Sequence, residues 1–452
     1  MQILIICVII GKVNNKNGGD ILKKVAFYTL GCKTNQYETN GMIQLFKSSG
    51  YEIVDFEDFA DIYIVNTCTV TSISDKKSRM FLRKAKKINP NSIVVACGCY
   101  VQVAKNEVEK IPEIDLCIGT NEKADIVKYI ENYISSNIKD IDISDVFEEK
   151  EFCEFGAVTY TEKTRAVVKV QDGCDRFCTY CLIPYARGRV RSRKPENIIE
   201  EVKNIAKNGY KEIVITGIHI ASYGKDFKED YKLINLLEDL DKIEGIQRIR
   251  LGSIEPLIMS EEFCERLLKL DSICHHFHLS LQSGCDETLS RMNRRYSTSE
   301  FKTIVDRLRR MYPDCILTTD IIVGFSGETD DEFEKTYEFL KDVNFYKMHI
   351  FKYSPRKGTI AANMPNQIDG VKKEERSNRL LELSDKNELD FQKQYLEKEV
   401  DVLFEEKVNE FFKGHTANYI MVNVKSDENI IDQIKTVKLK DIKANEMYGE
   451  IK

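Results

Sequence analysis

Apolar positions between Val25 and Cys99 fall into short continuous runs, VAFYTLG (25–31), DIYIVNT (61–67) and NSIVVAC (91–97). Segments with helical spacing separate them. The first carries Met42, Leu45 and Phe46, and the second is a basic helix around Ser74–Ile88 that stops before Pro90. Unbroken apolar strands alternating with helices predict an open parallel sheet covered on both faces. Each of the three strands hands over a cysteine, Cys32, Cys68 or Cys99, at its carboxyl end. That is the edge where open α/β sheets build their sites, so residues remote in sequence converge there.

Residues 139–160 are acidic and irregular, include DVFEEKEF, and read as a linker. From Ala166 six further apolar runs appear: AVVKVQ (166–171), EIVITGI (212–218), RIRLGS (248–253), FHLSLQS (277–283), ILTTDIIVGF (316–325) and YKMHIFKYS (346–354). Helical stretches divide them, one of which opens at Pro195, where proline suits a first turn. Six strand–helix units predict an incomplete parallel barrel rather than the closed eight-unit form, open enough at its side for a macromolecular substrate. A charged helix from Val371 to about residue 397 leads to VDVLFEE, YIMVNVK and TVKLKDI, with Gly414 and His415 read as a turn. Short strands in so few residues predict a small antiparallel, OB-like barrel of the kind that binds single-stranded nucleic acid.

The fold class is therefore α/β with a small β-barrel at the end. The boundaries read as an extension at 1–22, a first domain at 23–138, the linker at 139–160, a barrel core with its trailing helix at 161–390, and the terminal domain at 391–452. MQILIICVIIG at the start lacks a cationic leader and is shorter than the ~20 residues a membrane span requires. It reads as an edge strand or an upstream start codon, and no membrane partner is expected.

A chain of 452 residues with net charge −6 must make any nucleic-acid contact through local basic patches. Fourteen cysteines without a secretory signal point to a reducing cytoplasm and metal-ligating thiolates rather than a disulfide framework. Cys117, Cys264, Cys274 and Cys315 read as small core residues. Cys97 lies two residues from Cys99, but strand alternation favours Cys99 as the ligand. CDRFCTYC sets Cys174, Cys178 and Cys181 too close for a disulfide scaffold, and one ligand short of a closed four-thiolate site. One metal position is left open for substrate or cofactor.

This run, with CTYCLIPYARGRVRSR (178–193), YTLGCKTNQYET (28–39) and LGSIEP (251–256), resembles the radical S-adenosylmethionine (SAM) methylthiotransferases from Lys23 onward. The wording is most similar to the branch that acts on N6-threonylcarbamoyladenosine in tRNA, next to the anticodon. The siblings acting on isopentenyladenosine or on a ribosomal protein are the alternatives. A non-catalytic iron–sulfur RNA-binding protein is the alternative from another class. The resemblance implies two 4Fe-4S clusters and SAM, with Cys32, Cys68 and Cys99 holding an auxiliary cluster and Cys174, Cys178 and Cys181 the SAM-cleaving one. A radical would take hydrogen from carbon 2 of the adenine, because that C–H has no useful acidity near neutral pH. It also implies a carboxyl-terminal TRAM domain, the tRNA anticodon stem-loop as partner, a low-potential donor of flavodoxin or ferredoxin type, and a sulfur donor that no motif names.

SAM contacts implied by the resemblance are Tyr180, Thr216, Gly217, Gln282, Ser283, Gly324, Gly327 and Glu328. Ser326 stands where the family's GFPGET has proline, which is expected to loosen that loop. Arg187, Arg189, Arg191 and Arg193 form a basic run beside the cysteine loop and read as phosphate contacts. Arg294 and Arg295 are a second candidate pair. Lys413, His415 and Tyr419 offer charge and stacking on the terminal barrel. His219, His275, His276 and His278 have no ligand spacing that recommends them for metal.

Overall fold

The computed structural model describes residues 23–137, 139, 141–159 and 164–452, so the extension at 1–22 lies outside the described residues. The chain forms two compact units. One takes the chain up to Tyr160 together with Tyr185–Arg189, and the other takes Thr161–Pro184 and Val190–Lys452.

In the first unit, β1 (Lys24–Thr29), β2 (Glu52–Val54), β3 (Ile62–Thr67), β4 (Ile93–Gly98), β5 (Leu116–Ile118) and β6 (Ile141–Asp142) form a sheet in the order β2-β1-β3-β4-β5-β6. Every pairing is parallel. On one face Tyr63, Val65, Val94 and Ala96 pack with Leu82 and Ala85 of the helix Ser72–Ile88. The helix Lys33–Ser48 buries Tyr37, Met42, Ile43 and Phe46. Each large side chain so buried contributes about 1.5–3 kcal/mol. Because β1, β3 and β4 are sheet neighbours, Cys32, Cys68 and Cys99 leave adjacent strands at one edge.

The acidic stretch after residue 139 is not a free linker. Its β6 pairs with β5, and Gln44 of the first helix donates to the Ala157 carbonyl (2.9 Å) and accepts from the Thr159 amide (3.1 Å). Phe155 lies against Gly41, where a Cβ would come within 2.6 Å of its ring. Composition hid these contacts because they are made by one phenylalanine and by backbone groups.

The second unit contains β7 (Arg165–Asp172), β8 (Arg191–Ser192), β9 (Glu212–Gly217), β10 (Arg248–Leu251), β11 (Ser253–Ile254), β12 (His276–Leu279), β13 (Ile316–Val323) and β14 (Lys347–Lys352). They pair as β10-β9-β7-β8 and β11-β12-β13-β14, and β8 alone runs antiparallel to its neighbour. Backbone bonds from Ile249 to Ser272 (2.7 Å) and from Cys274 to Ile249 (3.0 Å) join β10 to the residues entering β12. The six long parallel strands therefore follow one another in chain order. Alternation sorts their side chains: Val168, Ile215, Ile249, Phe277 and Ile321 enter a core packed with helical residues. Lys169, Thr216, Arg250, His278 and Asp320 occupy the other register and form a polar inner face.

The helix Gly370–Lys393 leads to β15 (Glu399–Val408), β16 (Phe411–Thr416), β17 (Met421–Val424), β18 (Ile434–Lys443) and β19 (Glu446–Ile451). These close in the order β15-β16-β17-β19-β18, with one parallel pair, β17–β19. Gly414 and His415, expected as a turn, lie inside β16; the reversal falls at Asn409, with φ 56°. Arg248 donates to the carbonyls of His415 (3.0 Å) and Asp401 (2.8 Å), and Arg250 to that of Ala417 (3.0 Å). These bonds seat the terminal barrel on the strands that precede it.

Candidate active site

The loop bearing Cys174, Cys178 and Cys181 is braced from the end of β7. Lys169 holds Asp172 at 2.6 Å, Asp172 accepts the Gly173 amide at 2.8 Å, and Gln171 donates to the Gly173 carbonyl at 2.7 Å. Phe177 has φ 49°, a left-handed turn that folds the loop back on itself. Each sulfur accepts a hydrogen bond: Cys174 from the Arg176 amide (3.5 Å), Cys181 from the Ile183 amide (3.4 Å), and Cys178 from Arg294 (3.6 Å). Burial, then the neighbouring sulfurs, pushes Cys181 up to about 12. Burial likewise pushes Cys174 up to about 11, an amide donor opposing it. Three partly exposed thiols close together, each receiving an N–H donor, are a donor set suited to a cluster whose positive charge replaces the protons.

Residues that the sequence does not assign to the cysteine site complete it. Arg176, inside the cysteine loop, pairs with Glu255 at 2.6 Å and lies 3.5 Å from His219. Glu255 is the acid of LGSIEP, so the motif's role here is to hold the loop. His219 donates its amide to Gln171 (2.7 Å), and burial followed by Arg176 and Arg294 lowers its imidazole to about 4. It is neutral at physiological pH. Arg294, expected to face phosphate, is instead fixed by Cys178, the Ser280 carbonyl (2.9 Å) and the Tyr296 ring (4.9 Å). The signal for it was present in MNRRY, but nothing in the sequence pairs that run with Cys178.

Among the expected SAM contacts, Thr216 and Gly217 end β9, with Thr216 on the inner face. Gln282 has φ 72° and is bracketed by backbone bonds to Asp320 and Ile322 (both 2.9 Å), a strained position for a non-glycine residue. Tyr180 meets Phe325 edge-on at 6.3 Å. Ser283 is turned elsewhere: it is fully buried, with its hydroxyl on Thr336 (3.3 Å) and the Cys285 amide (3.3 Å). Glu328 is also an internal brace, accepting the Gly324 amide (2.7 Å) and pairing with Arg376 (2.5 Å). Gly324 and Gly327 both have positive φ. Ser326 does not leave the loop slack, because its hydroxyl donates to the Pro365 carbonyl at 2.7 Å.

In the first unit, Cys32 caps the helix Lys33–Ser48, whose amino end favours negative charge. Cys68 directly follows β3 and is pushed up to about 11 by burial, then by Cys99, with Cys32 adding to the rise. Cys99 follows Gly98, whose φ of 97° turns the chain off β4. Cys97 is inside β4, wholly buried, and its thiol donates to the Val65 carbonyl (3.7 Å). Arg187 donates to Cys99 at 3.3 Å and to Asn35 at 2.6 Å, and it pairs with Glu38, which Lys123 holds from the other side.

The basic run is therefore not a phosphate surface. Arg187, Arg191 and Arg193 are buried, with Glu38, Asp172 (3.9 Å) and Glu201 (3.0 Å) as their acids; only Arg189 is exposed, beside the Phe147 ring. Sequence shows charge but not its partners. The terminal-barrel candidates are also engaged. Lys413 pairs with Glu446 (3.0 Å), His415 with Glu405 (2.6 Å), and Tyr419 stacks between His276 (4.5 Å) and His415 (4.6 Å). They fasten the barrel together and to the preceding strands.

Comparison with known proteins places this geometry. Residues 168–340 match the radical SAM superfamily, and residues 24–119 match a family described as uncharacterized protein family UPF0004. The second unit thus carries a radical SAM domain, a class defined by SAM and a 4Fe-4S cluster. The chain is 42% identical to the threonylcarbamoyladenosine tRNA methylthiotransferase MtaB of Bacillus subtilis, covering 94% of this chain and 95% of that protein. It is 43% identical to the MtaB of Aquifex aeolicus over 88% of this chain and 95% of that one. A tRNA-2-methylthio-N(6)-dimethylallyladenosine synthase from a Thermoanaerobacter species is 38% identical over 94% and 91%. The chain belongs to the radical SAM methylthiotransferase family, in its MtaB branch. Among solved structures, the radical SAM methyltransferase TsrM of Kitasatospora setae shares the fold at TM-score 0.55 and 14% identity, covering 80% of this chain and 82% of that one.

Proposed function

We propose that this protein methylthiolates carbon 2 of N6-threonylcarbamoyladenosine beside the anticodon of tRNA. The observation that carries the reading is the pair of three-cysteine sets, one on a single loop and one on three adjacent strand ends, each with an arginine donating to one sulfur. Cys174, Cys178 and Cys181 would hold the SAM-binding cluster, and Cys32, Cys68 and Cys99 a second 4Fe-4S cluster. With its cluster and SAM bound, the loop site supplies a radical able to abstract hydrogen from an unactivated C–H. The protein's own part is positioning. Gln171 and Asp172 fix the loop entry, Arg176 and Glu255 hold its middle, and neutral His219 offers a hydrogen-bonding group that is not a competing acid near neutral pH.

The six parallel strands form a partial (β/α)6 barrel in this reading, and the closed terminal barrel a TRAM domain. Phosphate contact falls to the helix Ser72–Ile88, where Lys76, Arg79, Arg83, Lys84 and Lys87 line one surface. A negatively charged polymer would bind there with strong salt dependence. Among the described residues no helix is long and apolar enough to cross a membrane. In this reading the enzyme works in the cytoplasm and is reduced by a flavodoxin- or ferredoxin-type donor. Mass spectrometry of tRNA nucleosides from a deletion strain tests the function. Loss of the methylthiolated threonylcarbamoyl nucleoside with its precursor retained is expected; loss of the methylthiolated isopentenyl nucleoside instead would assign the other substrate.

A further inference from the structure

Three adjacent strands of the second unit bring together His278, Asp320 and His349, none of which the reaction above uses. Their donor atoms all lie within 4.8 Å of one another. Register explains the meeting. Asp320 of β13 stands directly opposite His349 of β14, and His278 of β12 stands opposite Thr318, one inner-face position before Asp320. The intervening residues Phe277, Leu279 and Ile321 enter the outer core, so the three polar side chains share the inner face.

We propose that His278, Asp320 and His349 form a binding site for a divalent first-row transition ion, of the zinc, iron(II) or manganese(II) kind. Two imidazoles and one carboxylate are a recurrent donor set for such ions, and three protein ligands leave positions open for water or substrate oxygen. His278 is already oriented for the task. Its Nδ1 meets the Thr318 hydroxyl at 2.9 Å, leaving Nε2 directed at Asp320 Oδ2, 3.2 Å away. A partner on the far ring nitrogen is the usual means of fixing a ligating histidine. Access is open, because His278 and Asp320 are 13% and 27% exposed and His349 is exposed. A simple ion pair would account for His278 and Asp320, whereas His349, its ring 5.6 Å from that of His278, adds a third donor to the same cluster. The site also lies beside the SAM-side loops, since the Asp320 carbonyl accepts the Gln282 amide at 2.9 Å. Sequence spacing could not show it: the ligands come from three strands.

The test is anaerobic titration of the cluster-loaded full chain with Co2+, followed by equilibrium dialysis and visible spectroscopy. Binding of a single additional Co2+, with ligand-field bands but no thiolate-to-cobalt charge transfer, is expected. Asp320→Asn and His349→Ala should each weaken it about 100-fold, and Thr318→Val about tenfold. The exposed His349 makes its variant the one least prone to misfold, with unchanged iron content and circular dichroism as the check. No additional cobalt in the parent, equal binding in all three variants, or a thiolate charge-transfer band would each overturn the site. This outcome is independent of which nucleoside the enzyme modifies.

Discussion

The two three-cysteine sets are brought together by opposite routes. Cys174, Cys178 and Cys181 are within one loop, so their proximity is a property of the local chain, secured by a left-handed Phe177 and by amide donors to sulfur. Cys32, Cys68 and Cys99 are as far apart in sequence as the strands that deliver them, and their proximity is a property of the sheet order β1-β3-β4. The loop set should survive changes to distant packing and fail on local ones. The strand-end set should do the reverse.

The sharpest separation comes from removing one sulfur of each. Cys174→Ala is expected to abolish 5′-deoxyadenosine formation and to remove about four irons per chain. Cys32→Ala should remove a similar amount of iron yet leave 5′-deoxyadenosine formation in place, while methylthiolated product disappears. Iron assay and chromatography of the nucleosides check both. If Cys32→Ala also stopped SAM cleavage, the division of labour between the sets would be wrong.

Arginine gives the next contrast. Arg187 is wholly buried between Glu38, Asn35 and Cys99, so Arg187→Ala removes its charged hydrogen bonds while Lys123 still neutralises Glu38, and should cost about 1.5–3 kcal/mol. Arg189→Ala, at an exposed position two residues on, should stay within about 0.5 kcal/mol. Urea denaturation of the two variants reads the difference, and equal midpoints would show that burial of the run has been misjudged. Gly98→Ala attacks the same set through the backbone. With φ 97° and a Cβ that would meet Asn66 Oδ1 at 2.6 Å and the Thr67 carbonyl at 2.7 Å, it should cost roughly 3 kcal/mol. It should also displace Cys99, so that iron falls without loss of SAM cleavage.

Arg294 is the loop set's counterpart, donating to Cys178 from a partly exposed position. Removing its positive charge makes an added electron on a cluster there harder to accommodate. Arg294→Gln should therefore shift the reduction potential negative and slow SAM cleavage roughly tenfold, with little loss of stability. Potentiometry followed by electron paramagnetic resonance is the measurement, and an unchanged potential would reduce Arg294 to a structural role.

How far sequence reveals these sites follows from the same contrast. Strand ends with cysteines and a tight three-cysteine loop are both legible, the first from alternation of apolar runs and the second from spacing alone. What stays hidden is pairing. Arg187 and Arg193 look alike on the page, yet one lies among the strand-end cysteines and the other against Glu201. Glu255 stands in a motif that can be quoted without showing that it grips Arg176. His278 has no ligand spacing because its partners are on neighbouring strands. Charge, in short, is visible in a sequence, whereas its neutralisation is a fact of packing.

Backbone strain supplies the smallest and most exacting test. The strand-end set turns at glycines, Gly31 at φ 105° and Gly98 at φ 97°, whereas the loop set places Phe177 at φ 49°. A phenylalanine held left-handed costs about 1–2 kcal/mol. Phe177→Gly relieves that cost but gives the unfolded chain more freedom, worth about 0.5–1 kcal/mol in the opposite direction. The net change in stability should thus be small, stabilising by at most about 1.5 kcal/mol. Since the hydrogen bonds to sulfur come from the Arg176 and Ile183 amides and from Arg294, none of them from Phe177, iron binding should persist. A large destabilisation would mean that the Phe177 ring, not the turn it occupies, holds the loop, and the loop set would then depend on packing much as the strand-end set does.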